Sequence, residues 1–239
     1  MYKGLKILAV VPARGGSKGV PKKNIKELYG KPLIAWSIET GLASKYIDKV
    51  IVSTDSEEIA EVARAHKGEV PFLRPKELAE DLTPDPPVFE HCLNYLSIKE
   101  NYAPDIIVHL RPTGPLRTSE EIDAAIELLA KYPDADSVRS VEEPPKPPYK
   151  MWRPEGEFLR PFIEIPGTKD TYNAPRQSLP KVYQTTADIG VLWLRTILEK
   201  KSVVGDKVLP FYLKRETVDI DNLFDFEIAE LIFRKRYGK

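Results

Sequence analysis

Short apolar runs alternate along this chain with stretches of helical period. Ile7 to Val11 is rich in β-branched residues and stops at Pro12, which predicts a buried strand. After Gly30-Lys31-Pro32 the apolar residues Leu33, Ile34, Ile38 and Leu42 carry one helical face, with Pro32 suited to a first turn. Lys49 to Ser53, centred on Val50-Ile51-Val52, predicts the next strand. Asp55 and Glu58 have capping-box spacing for a helix that runs to about His66. Pro86 and Pro87 open a helix through about Lys99, and Asp105 to Leu110 is another buried strand. Thr118 and Glu121 cap a helix whose stripe is Ile122, Ala125, Ile126 and Leu129. Ser137 to Val141 and Val182 to Leu194 read as strands, and so does Thr217 to Asp221. Asn222 and Asp225 then cap a last helix, with Phe226, Ala229, Ile232 and Phe233 inward.

This rhythm predicts an α/β fold of three layers, a mostly parallel, Rossmann-like sheet covered on both faces. Ligands of such sheets sit at the carboxyl ends of the strands. The segments after the first two strands, Pro12 to Asn24 and Ser53-Thr54-Asp55, both fall at that edge. Two stretches break the rhythm. Val70 to Thr83 is irregular. Residues 142–180 hold the run Pro144-Pro145-Lys146-Pro147-Pro148 and scattered aromatics, Tyr149, Trp152, Phe158, Phe162 and Tyr172. Disordered segments are poor in aromatics, so this reads as hairpins and loops inserted in a single domain spanning 1–239. Exposed aromatic clusters mark interfaces, and the excursion is expected to supply much of a homodimer contact.

Composition narrows the function classes. With 239 residues, 42% of them hydrophobic, the chain can bury a sizeable core. The 36 basic and 36 acidic residues balance, which argues against a nucleic-acid partner. A lone Cys92 makes no intrachain disulfide, and three histidines make a Cys/His zinc site improbable. The first apolar run is shorter than a signal-peptide core or a membrane span, so a soluble cytoplasmic protein is expected. His66, His91 and His109 read as structural residues.

Candidate chemistry concentrates at two places. In Ala13-Arg14-Gly15-Gly16-Ser17-Lys18-Gly19-Val20-Pro21-Lys22-Lys23-Asn24, three glycines and four basic residues follow a buried strand with no acid before Glu27. Glycines let backbone N–H groups approach a ligand, successive N–H groups can form an anion nest, and the cations add full charges. A polyphosphate is the natural guest. Neither the Walker pattern, since Gly19 follows Lys18, nor G-x-G-x-x-G is present. The second place is Asp219 and Asp221. Two apart on a strand, they share one face with Thr217, while Val218 and Ile220 face the core. Such a pair suits Mg²⁺, although the polar outer face of an edge strand would look the same.

The run A-R-G-G-S-K-G-V-P-K-K-N resembles the N-terminal signature of the acylneuraminate cytidylyltransferases, which make CMP-sialic acids. The resemblance extends over nearly the whole chain. Ser53-Thr54-Asp55-Ser56 matches the second-strand motif, and Arg74-Pro75 with Leu78-Ala79 and Asp81 matches R-P-x-x-L-A-x-D. Pro175-Arg176-Gln177 with Leu179-Pro180 matches P-R-Q-x-L-P, and Asp219-Ile220-Asp221 with Ala229-Glu230 matches D-I-D…A-E. It implies a nucleotide-diphospho-sugar transferase fold that dimerises through the excursion. It implies that Arg14, Gly15, Gly16, Ser17, Lys18, Lys23, Asn24, Arg74 and Asp81 serve the nucleotide and its triphosphate. It implies that Asp219 and Asp221 hold the catalytic magnesium, and that Lys150 and Arg176 approach the sugar acid. Arg14 and Lys18 join the two aspartates as the catalytic set.

The expected reaction is in-line attack of a sugar oxygen on the α-phosphorus of CTP, with loss of pyrophosphate. The other readings are transfer to a sugar 1-phosphate with CTP or GTP, and a non-catalytic nucleotide-binding protein. Two departures touch the acceptor side, where Arg111 and Thr113 are further candidates. Leu110-Arg111-Pro112-Thr113-Gly114-Pro115-Leu116-Arg117 stands where the family reads L-Q-P-T-S-P-L-R. Thr186-Ala187-Asp188-Ile189-Gly190-Val191 replaces an N-G-A-I-Y-like strand. A guanidinium pairs with an oxyanion more strongly than an amide does, so Arg111 is expected to read an anionic group of the acceptor. A structural ion pair between Arg111 and Asp188 is the alternative.

Overall fold

A computed structural model describes residues 1–238. Its strands are β1 (Ile7–Pro12), β2 (Glu27–Leu28), β3 (Lys31–Pro32), β4 (Lys49–Ser53), β5 (Ile106–His109), β6 (Ser137–Glu142), β7 (Trp152–Glu155), β8 (Phe158–Pro161), β9 (Gln184–Trp193) and β10 (Val208–Tyr212). Its helices are α1 (Leu33–Ala43), α2 (Glu57–Ala65), α3 (Asp85–Glu100), α4 (Ser119–Lys131), α5 (Leu194–Lys200) and α6 (Leu223–Tyr237). The chain divides into two compact units, residues 1–140 with 186–239, and residues 141–185.

The first unit is built on a six-stranded sheet in the order β10-β6-β9-β5-β1-β4. Both β4 and β5 run parallel to β1, and β9 runs antiparallel to β5. Alternation along β1 assigns the two faces. Ile7, Ala9 and Val11 pack with Ile34 and Ile38 of α1, Ala63 of α2 and Ile126 of α4. Leu8 and Val10 pack with Phe89 and Leu96 of α3 and Ile197 of α5. The three layers expected from periodicity are therefore present. Both faces of β1 are buried, as a strand apolar at successive positions requires.

A third apolar cluster lies at the carboxyl edge of the sheet. Val20 from the opening loop, Leu116, Val218 and Ile220 pack with Phe226, Ala229 and Phe233 of α6. Helix α6 thus fastens the opening loop and the 217–221 segment to one support. Fully burying a side chain such as Ile220 stabilises by about 1.5–3 kcal/mol.

Two local expectations are corrected. Thr217 to Asp221 is not a strand of the sheet. Its register is instead fixed by Ile220 donating its N–H to the Thr113 carbonyl at 2.9 Å and by the burial of Val218 and Ile220. Helix α2 is capped by Ser56, whose hydroxyl accepts from Ile59 N, and not by Asp55. Asp55 is engaged elsewhere, accepting from Gly15 N at 2.9 Å. The capping boxes of α4 (Thr118, Glu121) and α6 (Asn222, Asp225) form as the spacing predicts.

The second unit holds the antiparallel hairpin β7–β8 and short 3₁₀ turns at Pro148–Lys150, Thr171–Asn173 and Arg176–Ser178. Trp152 packs on Tyr172 with ring centroids 4.4 Å apart. Phe158 is 74% exposed and Phe162 58%. Lys150 donates to the carbonyls of Tyr172 and Ala174, and Arg176 donates to Pro144 O and pairs with Glu143. No helix among the described residues is long and apolar enough to cross a membrane.

Candidate active site

A cavity of about 400 Å³ opens in the first unit where the loops after β1 and β5 meet the 217–221 segment. Of the residues expected from sequence, Arg14, Ser17, Lys18, Lys23, Asn24, Arg74, Asp81, Arg111, Thr113 and Asp221 line it. Gly15 and Gly16 are not in the lining, and Lys150 and Arg176 belong to the second unit.

Within the opening loop Lys22 alone takes a left-handed conformation, with φ 53°. No residue from Ala13 to Pro21 takes a positive φ. The Gly15 N–H is spent on Asp55, and the Ser17 N–H donates to the Gly15 carbonyl. Asn24 is buried and donates from Nδ2 to the Arg14 carbonyl at 2.9 Å, which fixes the loop's return. The loop's cations divide by role. Arg14 pairs with Asp81 at 2.9 Å, and Lys18 pairs with the other oxygen of the same carboxylate. The Lys18 hydrogen bond is the first cause holding Asp81 below the ordinary carboxylate range. Lys23, only 15% exposed, donates to the Ile220 carbonyl at 2.7 Å and to Asp221 Oδ1 at 3.2 Å. Lys23 therefore ties the basic loop to the acidic segment.

Asp219 and Asp221 crowd one another. Desolvation first, and then the Asp221 charge, raise the Asp219 carboxyl above its ordinary value, against the opposing pull of the Thr113 hydroxyl, Arg111 and Lys23. A cation between the two carboxylates would relieve that crowding, so the donor set fits Mg²⁺. Asp221 lines the cavity, while Asp219 is not among its lining residues and is hydrogen-bonded by the Thr113 side chain.

Arg74 lines the cavity, but its guanidinium is largely engaged, donating to Ser53 O at 3.1 Å and Leu78 O at 3.3 Å. Arg111 pairs with Asp85 at 2.7 Å. Asp188 pairs instead with Arg215 at 2.9 Å, which overturns the Arg111–Asp188 ion pair. Asp85 is a cavity residue missed in the sequence. Its signal was an acid opening a helix at Asp85-Pro86-Pro87, but nothing local pointed to Arg111. His109 is fully buried against Phe89, and burial pushes its pKa down to about 3, so it is neutral at pH 7.

A basic loop and an acidic segment meet at the carboxyl edge of this Rossmann-like sheet, the edge where such sheets bind their ligands. Residues 8–147 match the cytidylyltransferase family, and the chain belongs to it; it is a nucleotidyltransferase. The chain is 34% identical over 233 residues to the N-acylneuraminate cytidylyltransferase of Escherichia coli, covering 97% of this chain and 53% of that one. It is 31% identical over 234 residues to the pseudaminic acid cytidylyltransferase of Campylobacter jejuni, covering 96% and 97%. It is 32% identical over 234 residues to the post-translational flagellin modification protein B of Campylobacter coli, covering 96% of each. The solved CMP:2-keto-3-deoxy-manno-octonic acid synthetase complexed with CTP shares the fold, with a TM-score of 0.69 at 14% identity, covering 97% of this chain and 99% of that one.

Proposed function

We propose that this protein transfers the cytidylyl group of CTP to a nonulosonic, sialic-acid-like sugar and releases pyrophosphate, as a cytoplasmic homodimer. The observation that carries the reading is the cavity itself, lined by Arg14, Lys18 and Lys23 together with Asp221. Relatives named for acylneuraminate and pseudaminic acid, 34% and 31% identical to this chain, support the acceptor class.

In this reading the triphosphate of CTP displaces Asp81 from Arg14 and Lys18, exchanging one charge-assisted pair for several. The two cations then offset charge on the departing pyrophosphate. Lys23 keeps the acidic segment at a fixed distance from the loop, so positioning is supplied before the substrate arrives. Asp219 and Asp221 would hold Mg²⁺, which when bound neutralises phosphate charge and lowers the pKa of a nearby hydroxyl. The Thr113 hydroxyl orients Asp219 for that role. The exposed aromatics of the second unit, Trp152, Phe158 and Phe162, support a self-association surface.

The test is a matrix of four nucleoside triphosphates against sugar acids and sugar 1-phosphates, read by pyrophosphate release. CTP with a nonulosonic acid should give the highest kcat/KM. Preference for any sugar 1-phosphate would sink the reading. Light scattering of the active enzyme checks the dimer, and a fully active monomer at micromolar concentration would count against it.

A further inference from the structure

Most of the deeply placed arginines of the first unit have clear partners. Arg117 donates to Ser37 Oγ and to the carbonyls of Arg111 and Ala187. Arg74 donates to two carbonyls, and Arg215 pairs with Glu121 and Asp188. Arg139, in the middle of β6, is the exception. It is 6% exposed, yet among the described residues its guanidinium makes no hydrogen bond and no ion pair within contact distance. Its Nε is sealed from solvent without a partner, while its terminal nitrogens keep access.

The backbone makes room for this group. A Cβ on Gly190 of β9 would lie 2.7 Å from Arg139 Nη1 and 3.4 Å from His109 Cβ. Any side chain at 190 would therefore make the guanidinium shift, and Gly190 is paired with His109 in the sheet. The charges that act on it are Asp85 and Arg111. Burial first, and Arg111 second, push the Arg139 pKa down to about 10, and only Asp85 opposes them. Asp85 is already paired with Arg111. Since His109 is neutral, Asp85 is the one acid acting on Arg139, and that carboxylate is already taken by Arg111, which lines the cavity. A buried charge without a partner is costly, and the arrangement is complete once an oxyanion arrives.

We propose that Arg139, together with Arg111, forms an anion subsite that takes the carboxylate of the acceptor sugar, with Gly190 as the space that admits it. The inference rests on the acceptor class proposed above. It separates this subsite from the triphosphate cations Arg14, Lys18 and Lys23, which pair with Asp81 and Asp221 and not with Asp85. It adds Arg139 to the residues expected from sequence on the acceptor side, Arg111, Thr113, Lys150 and Arg176, of which Lys150 and Arg176 already donate to carbonyls of their own unit.

The experiment compares wild type, Arg139→Gln and Gly190→Ala, using pyrophosphate release with a nonulosonic acid, calorimetric CTP binding and thermal unfolding of the free protein. Arg139→Gln should raise the acceptor KM on the order of 10-fold or more, the scale of a lost charge-assisted hydrogen bond. CTP affinity should stay unchanged, and the Tm should hold or rise, because an unpaired buried charge has been removed. Gly190→Ala keeps the charge but displaces it, and should raise the acceptor KM in the same direction. An acceptor KM within twofold of wild type in both variants overturns the subsite. So does a fall in Tm with equal losses for CTP and acceptor, the mark of a purely structural arginine. If wild type uses only a sugar 1-phosphate, the functional reading fails and the carboxylate assignment with it. A wild type that uses the acid beside unaffected variants overturns the subsite alone.

Discussion

A Cβ placed on Gly19 would sit 2.3 Å from the carbonyl oxygen of Asp221. The basic opening loop and the acidic closing segment are thus in backbone contact, although they come from opposite ends of the chain. Alanine at 19 would push the two apart. Gly19→Ala should lower turnover by about 10²-fold or more, the scale of a small misplacement in a positioned site. The helical content of the variant should match wild type by circular dichroism. Near-normal turnover would mean that the spacing of the two segments is not used in the reaction.

The acidic pair should prove indispensable to the chemistry and dispensable to the fold. Asp219→Asn and Asp221→Asn each remove a carboxylate from an exposed edge while leaving Val218 and Ile220 buried. Each should reduce kcat on the order of 10²-fold or more at saturating Mg²⁺, with Tm within a degree or two of wild type. Steady-state kinetics across a Mg²⁺ titration is the check.

The two lysines of the loop should separate in their effects. Lys18 is 79% exposed and Lys23 is 15% exposed. Lys18→Ala should weaken CTP binding with no loss of stability, since an exposed pair contributes about 0–1 kcal/mol. Lys23→Ala should weaken CTP binding and also lower the Tm, because it frees the Ile220 carbonyl. Equal Tm values for the two variants would contradict the anchoring role of Lys23.

Acid stability should depend on Asp136. Its carboxylate accepts from Lys200 Nζ and from the N–H groups of Asp206 and Lys207. The Lys200 hydrogen bond, followed by the Lys207 N–H, lowers its pKa from 3.8 to about 2. A folded pKa below the unfolded one contributes stability that is full above pH 3.8 and is lost as pH falls towards about 2. Asp136→Asn should be less stable at pH 7 by on the order of 1 kcal/mol. It should also show a flatter loss of stability between pH 4 and pH 2, measured by urea unfolding across pH.

His109 should be replaceable. Both ring nitrogens are buried without partners, and the ring stands edge-on to Phe89 at 4.8 Å. His109→Phe keeps the shape and removes two unsatisfied polar atoms, so its Tm should equal or exceed that of wild type. The pH–rate profile above pH 5 should be unchanged, because the ring is already neutral there.

Strands β1, β4, β5, β6 and β9, helices α1 to α4 and α6, and the capping boxes of α4 and α6 were legible in the sequence, because each is fixed by residues a few positions apart. Periodicity assigned both faces of β1, and alternation placed Asp219 and Asp221 opposite Val218 and Ile220 even though the segment never joins the sheet. The short apolar runs of β10 and α5 gave no firm signal, and tertiary packing decided them. Ionic partnerships were beyond the sequence altogether. Asp55 could cap a helix or hold Gly15, Arg111 could meet Asp188 or Asp85, and Arg139 could find a carboxylate or none. Charges interact through space and through the dielectric around them, so only the assembled sheet edge determined that Asp55 accepts from Gly15, that Asp85 takes Arg111, and that Arg139 stands over Gly190 unpaired.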